Sequence, residues 1–86
     1  MKMKIVYVVT GSEDGILGVY GNKKGAYEHG LRYLKNYPSN EIISYQKLCN
    51  ELKDCYDYDV QLRDTFMGSN VTIMATLFNR KDTNRG

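Results

Sequence analysis

The run Val8-Val9-Thr10-Gly11-Ser12-Glu13-Asp14-Gly15-Ile16-Leu17-Gly18-Val19-Tyr20-Gly21-Asn22-Lys23-Lys24 dictates a strand, an acidic turn, a second strand and a helix start, in that order. Lys4 to Thr10 is rich in Val, Ile and Tyr, which suit a pleated, half-buried surface. Gly11 to Gly15 forms the turn, and Ile16 to Tyr20 returns as the second strand. Pairing Thr10 with Ile16 sets Val9 opposite Leu17, Tyr7 opposite Val19 and Ile5 opposite Gly21 on one face. The other face then pairs Val8 with Gly18 and Val6 with Tyr20. Both faces are apolar, so the hairpin belongs inside a sheet or under cover on both sides.

Gly21 ends the second strand and Asn22 is a good N-cap. Helical spacing runs from Lys23 to Asn36, with Tyr27, Gly30 or Leu31, Leu34 and Tyr37 on one stripe, and Pro38 stops it. Gly25 and Gly30 each weaken this helix by up to about 1 kcal/mol relative to Ala. Ser44 caps a second helix whose apolar face is Tyr45, Leu48, Cys49 and Leu52, with Ile43 and Leu48 as a hydrophobic staple. It frays near Asp54.

The last third reads as a hairpin turning at Gly68-Ser69. That turn pairs Phe66 with Val71, Asp64 with Ile73, Leu62 with Ala75, Val60 with Leu77 and Tyr58 with Asn79 on the apolar face. Thr65 and Thr72, Arg63 and Met74, Gln61 and Thr76, and Asp59 and Phe78 pair on the other. The expected fold is α+β, in the order β-β-α-α-β-β. Four strands form a mostly antiparallel sheet, and both helices pack on one face. Residues 1–79 make a single domain and 80–86 a flexible polar tail. The expected core is Ile5, Tyr7, Val9, Leu17, Val19, Leu31, Leu34, Leu48, Leu52, Val60, Leu62, Val71, Ile73 and Leu77.

Composition excludes several classes. A chain of 86 residues makes one domain, burying about 60 to 65% of its unfolded surface. Eight Tyr and two Phe, with no Trp, supply its large apolar groups. The net charge of +2 is too small to imply nucleic acid by itself. Much of the positive charge lies at the ends, in Lys2, Lys4, Arg80, Lys81 and Arg85, the pattern of solvated tails. Cys49 and Cys55 are the only cysteines, too few for a disulfide scaffold and without partners for zinc. They read as reduced thiols of a cytoplasmic protein. Met-Lys-Met-Lys is too short for a signal peptide, and no apolar run approaches the roughly 20 residues that span a bilayer.

The chemistry-bearing residues are sparse. Ser12, Glu13 and Asp14 offer a hydroxyl and two carboxylates on a glycine-bracketed turn, which also reads as a plain hairpin turn facing water. The turn lacks the Gly-Lys-Ser/Thr ending of a nucleotide-binding loop and the alternating oxygen ligands of a calcium loop. Asn22, Lys23 and Lys24 at the first helix N-terminus, with Ser12 of the turn, are the best candidates to hold a nucleotide-like anion, although a capped helix with solvated lysines explains them too. His29 has no carboxylate three or four residues away to orient it, so it reads as a half-exposed helix residue and not a base. Asp54, Asp57 and Asp59, interleaved with Tyr56 and Tyr58, read as a solvated loop. No catalytic set, metal site or cofactor emerges.

The segment Val8 to Gly15, followed by Gly18-Val19-Tyr20-Gly21-Asn22-Lys23-Lys24 and Ala26-Tyr27, resembles small uncharacterised accessory proteins of tailed bacteriophages over the first third of the chain. The resemblance implies a viral protein in the host cytoplasm that binds host proteins, including defence systems, or sequesters nucleotide signals. It transfers no catalytic residues.

Two short helices cover one face of four strands, not both. The uncovered face should carry Val6, Val8, Ile16, Tyr20, Met74 and Phe78 inside a polar rim of Arg63, Gln61, Thr65, Thr72 and Thr76. Such a patch, on the order of several hundred Å², is large for a soluble monomer and has the anatomy of a protein interface. The sequence therefore favours a non-enzymatic binding protein, an inhibitor of a host protein or a homodimer through this face. A small-ligand binder at the first helix N-terminus is the alternative, and a weak nucleic-acid binder the third reading.

Overall fold

A computed structural model describes residues 3–52, 58–63 and 68–79. The chain forms β1 (Met3–Gly11), β2 (Gly15–Tyr20), α1 (Lys23–Tyr33), a single 3-10 turn (Ser39–Glu41), α2 (Tyr45–Leu52), β3 (Tyr58–Gln61) and β4 (Val71–Asn79). The fold is α+β, with a four-stranded antiparallel sheet in the order β2-β1-β4-β3. The central ladder joins β1 to β4 from Met3 opposite Asn79 to Gly11 opposite Val71.

Alternation along these two strands sends Val9, Val71, Ile73 and Ala75 to the face that both helices cover. There they meet Ala26, Leu34, Leu48 and Leu52, together with Val60 and Leu62. Eight expected core residues are buried: Val9, Leu34, Leu48, Leu52, Val60, Leu62, Val71 and Ile73. Ile5, Tyr7, Leu17 and Leu31 are half-buried. Leu77 is 43% exposed instead of buried. It pairs with Ile5 beyond the ends of β2 and β3, whose ladders stop at Tyr7 and Ala75, so its row across the sheet spans two strands where the row through Ile73 spans four.

The first hairpin departs from simple alternation. Thr10 does face Ile16, but a bulge then takes up Leu17, so Val9 faces Gly18, Val8 faces Val19 and Tyr7 faces Tyr20. One extra residue flips everything after it. Tyr20 is carried to the helix side, where it packs against the core, and Val19 is carried out to 58% exposure. Both reverse the simple pairing, which placed Val19 in the core and Tyr20 on the open face.

α1 fits this hairpin through glycines. A Cβ on Gly11 would stand 2.9 Å from the Tyr33 ring, and one on Gly18 would stand 3.2 Å from the His29 ring. Gly30 faces Leu62 so closely that a Cβ would lie 2.5 Å from Leu62 Cδ1. This glycine therefore admits the helix to the sheet, which outweighs its propensity cost. Asn22 caps α1 by accepting from the Gly25 amide at 2.7 Å. The helix stops at Tyr33, three residues short of Asn36, where the Leu34 amide donates to Gly30 O at 3.0 Å and a turn closes through Tyr37. Ser44 caps α2, its Oγ accepting from the Lys47 amide at 3.1 Å.

In the second pair of strands the register differs by four residues. Tyr58 faces Ala75, Asp59 faces Met74, Val60 faces Ile73 and Gln61 faces Thr72. A shift by an even number keeps the side chains of β3 on their expected faces, so Val60 stays in the core, as does Leu62 just past the strand end. The ladder is closed by a side chain. Buried Asn70 accepts from the amides of Arg63 (2.9 Å) and Val71 (2.7 Å) and donates to Arg63 O (2.8 Å). Gly68 takes φ +78°, as a turn glycine does. Asp64, Thr65 and Phe66 lie outside the described residues, as do Asp54, Cys55, Tyr56, Asp57 and the 80–86 tail.

Candidate interaction face

The face turned away from the helices is ordered in rows across the sheet. One row runs Ile16, Thr10, Thr72 and Gln61, and the next runs Val19, Val8, Met74 and Asp59. Apolar groups concentrate toward β2 and polar ones toward β3. Ile16 is 70% exposed, the most accessible large apolar residue among those described. Val8, Met74 and Thr72 are half-buried. Val6 lies in a further row opposite Thr76 but is only 9% exposed, so it adds little accessible surface. Phe78 occupies the register position opposite Lys4, and its side chain lies outside the described residues.

Two residues expected on this face lie elsewhere. Tyr20 is under α1, where its hydroxyl meets His29 Nδ1 at 2.5 Å and the two rings stack edge-on at 5.5 Å. That contact gives the half-buried His29 a structural partner. Arg63 is buried at 7% exposure, past the end of β3. Its guanidinium stacks over the Tyr37 ring at 3.6 Å, donates to Ser69 O and reaches Glu41 Oε1 at 3.2 Å. The antiparallel register cannot place it opposite Met74, because Asp59 holds that position.

The small-ligand candidates do not converge. Ser12 lies at the turn before β2 and Asn22 beyond its far end, so the length of β2, roughly 17 to 20 Å, separates them. Ser12 is also engaged: its amide donates to Asn70 O at 3.0 Å and its Oγ accepts from the Asn70 amide at 3.1 Å. Asp14 accepts from the Tyr33 hydroxyl at 2.8 Å, and this hydrogen bond pushes the Tyr33 phenol above its ordinary range. The acidic turn is thus pinned to α1 and β4. Lys23 is half-buried and Lys24 exposed beside a helix end already capped by Asn22. Among the described residues no group of three or more His, Cys, Asp or Glu is placed to hold a metal, and Asp59 is exposed.

Sequence reasoning missed Val19, whose outward turn depends on the bulge, and the knot of Arg63, Tyr37, Glu41 and Asn70. Asn70 directly before a β-branched run is the one local sign of the knot. Among the described residues no helix is long and apolar enough to cross a membrane. Comparison with protein-family models, with curated proteins and with solved structures finds no match to this chain.

Proposed function

We propose that this protein is a non-enzymatic binding protein that docks onto a host protein through the open sheet face and inhibits or redirects it. One observation carries the reading: Ile16 and Val19 stand 70% and 58% exposed beside Val8 and Met74 on a face that neither helix covers. Fully burying a Val or Ile side chain is worth about 1.5 to 3 kcal/mol, so covering these two, exposed at 70% and 58%, would recover roughly 60 to 70% of that each. The polar rows toward β3 suit a rim. The resemblance of the first third to bacteriophage accessory proteins supports a host protein as the partner.

The test is the Ile16→Asp/Val19→Asp double variant. Both side chains are exposed, so the variant should keep the wild-type fold by circular dichroism and lose the partner that wild type recovers from host lysate. Equal recovery by both proteins would overturn the reading. Sedimentation of wild type as a dimer that the same variant dissociates would give the face to a second copy of the chain.

A further inference from the structure

We infer that the outer edge of β3, which no other described strand pairs, forms with the flank of α2 a second docking site, one that takes up an extended peptide strand from a partner protein. A groove of about 450 Å³ runs there. Ile43, just before α2, and Lys47 and Glu51, four residues apart on one stripe of α2, form one wall. Asp59, Val60 and Gln61 form the other. Successive strand residues point to opposite faces, so a groove touching three in a row lies beside the strand's edge and not over one face.

β3 is an edge strand, with β4 on its other side. The Leu62 amide donates inward to Val71 O at 2.9 Å, so by antiparallel alternation Asp59 and Gln61 turn their N–H and C=O groups toward the groove. The chain begins to use this edge itself. Ile42 bridges Arg63 in antiparallel sense, and the Ile43 amide donates to Leu62 O at 2.9 Å. Continued pairing would bring Ser44 opposite Gln61. Ser44 instead caps α2, and the chain turns away. An incoming strand would extend the short pairing that Ile42 and Ile43 start, the mode known as strand addition.

Charge selects the side chains of that strand. Of the groove's ionised residues, Lys47 pairs with Glu51 at 3.8 Å and Arg63 with Glu41 at 3.2 Å. Asp59 is exposed and in no ion pair among the described residues. The incoming strand therefore carries Lys or Arg beside Asp59, on the open-face side, and an apolar residue over Val60 and Ile43, on the α2 side. Two copies joined through β3 in the register that puts Val60 side chains on like faces would bring Asp59 opposite or diagonal to its mate, which disfavours a second copy as occupant.

The probe is the acetylated, amidated heptapeptide Thr-Val-Lys-Val-Lys-Val-Thr, titrated into the full chain and followed by amide NMR shifts. Binding should shift the amides of residues 58–61 and protect those of Asp59 and Gln61. Methylating alternate peptide nitrogens should abolish binding. Asp59→Lys, a change at an exposed side chain, should weaken this peptide by about tenfold and favour its Lys→Glu counterpart. The Ile16→Asp/Val19→Asp variant should bind the peptide as wild type does, so failure of the open-face reading leaves this test intact. No shifts at millimolar peptide, indifference to methylation or to Asp59→Lys, or shifts confined to β2 would each overturn the proposal.

Discussion

The two outer strands meet the central β1–β4 ladder by different devices. β2 returns through a short turn and absorbs one extra residue at Leu17, whereas β3 joins β4 through a longer connection whose end is tied by the Asn70 side chain. An odd insertion exchanges inside and outside, as Tyr20 and Val19 show. An even displacement leaves them unchanged, as Val60 and Leu62 show. Accessible surface on this molecule is thus decided by parity more than by which residues pair.

The difference can be broken hardest on the β3 side. Leu62→Ala removes a fully buried side chain on which α1 and β4 converge, and should cost about 2 to 5 kcal/mol in urea denaturation. Leu17→Ala, at the half-buried bulge, should cost clearly less. Equal losses would mean that the bulge is as tightly packed as the core.

Gly30→Ala comes next. Its new Cβ would press on Leu62 Cδ1, so the substitution should destabilise by about 1 to 3 kcal/mol although Ala is the better helix former. Combined with Leu62→Ala the clash disappears, and the double variant should be more stable than the sum of the two losses implies. Additive losses in thermal denaturation would show that α1 does not seat on Leu62 this closely.

The smallest contrast sets the two closures against each other. Asn70→Ala leaves the Arg63 amide and carbonyl and the Val71 amide without their partner, and should cost about 1 to 3 kcal/mol. Ser12→Ala, in the exposed turn of the first hairpin, loses one hydrogen bond to the Asn70 amide and should cost about 1 kcal/mol or less. If chemical denaturation ranks them in reverse, the turn and not Asn70 fixes the end of the sheet.

Element order, fold class and the helix-covered face were legible because they rest on periodicity, and periodicity averages over many residues. The register of the first hairpin was not, because Leu17 can occupy a bulge or a regular position without any change in composition. The second register was misread for another reason. Gly68 and Ser69 signal a turn locally, but the pairing is fixed by contacts far along the chain, from Asn70 to Ser12 and from Ile42 to Arg63. Of the candidate interaction face, Val8, Ile16 and Met74 were readable by alternation alone. Val19 and Tyr20 exchanged roles because both follow the bulge.

The placement of β4 between β1 and β3 has a consequence for how the chain reaches its fold. Until β4 emerges during synthesis, β1 has a partner on one side only, and β3 has nothing to pair with in the sheet. The early chain therefore presents an open strand edge and the apolar faces of both helices together. Its completion depends on contacts between segments some seventy residues apart. Such long-range closure slows folding and prolongs exposure of sticky surface, so the interval before β4 joins the sheet is when this protein is most vulnerable to aggregation.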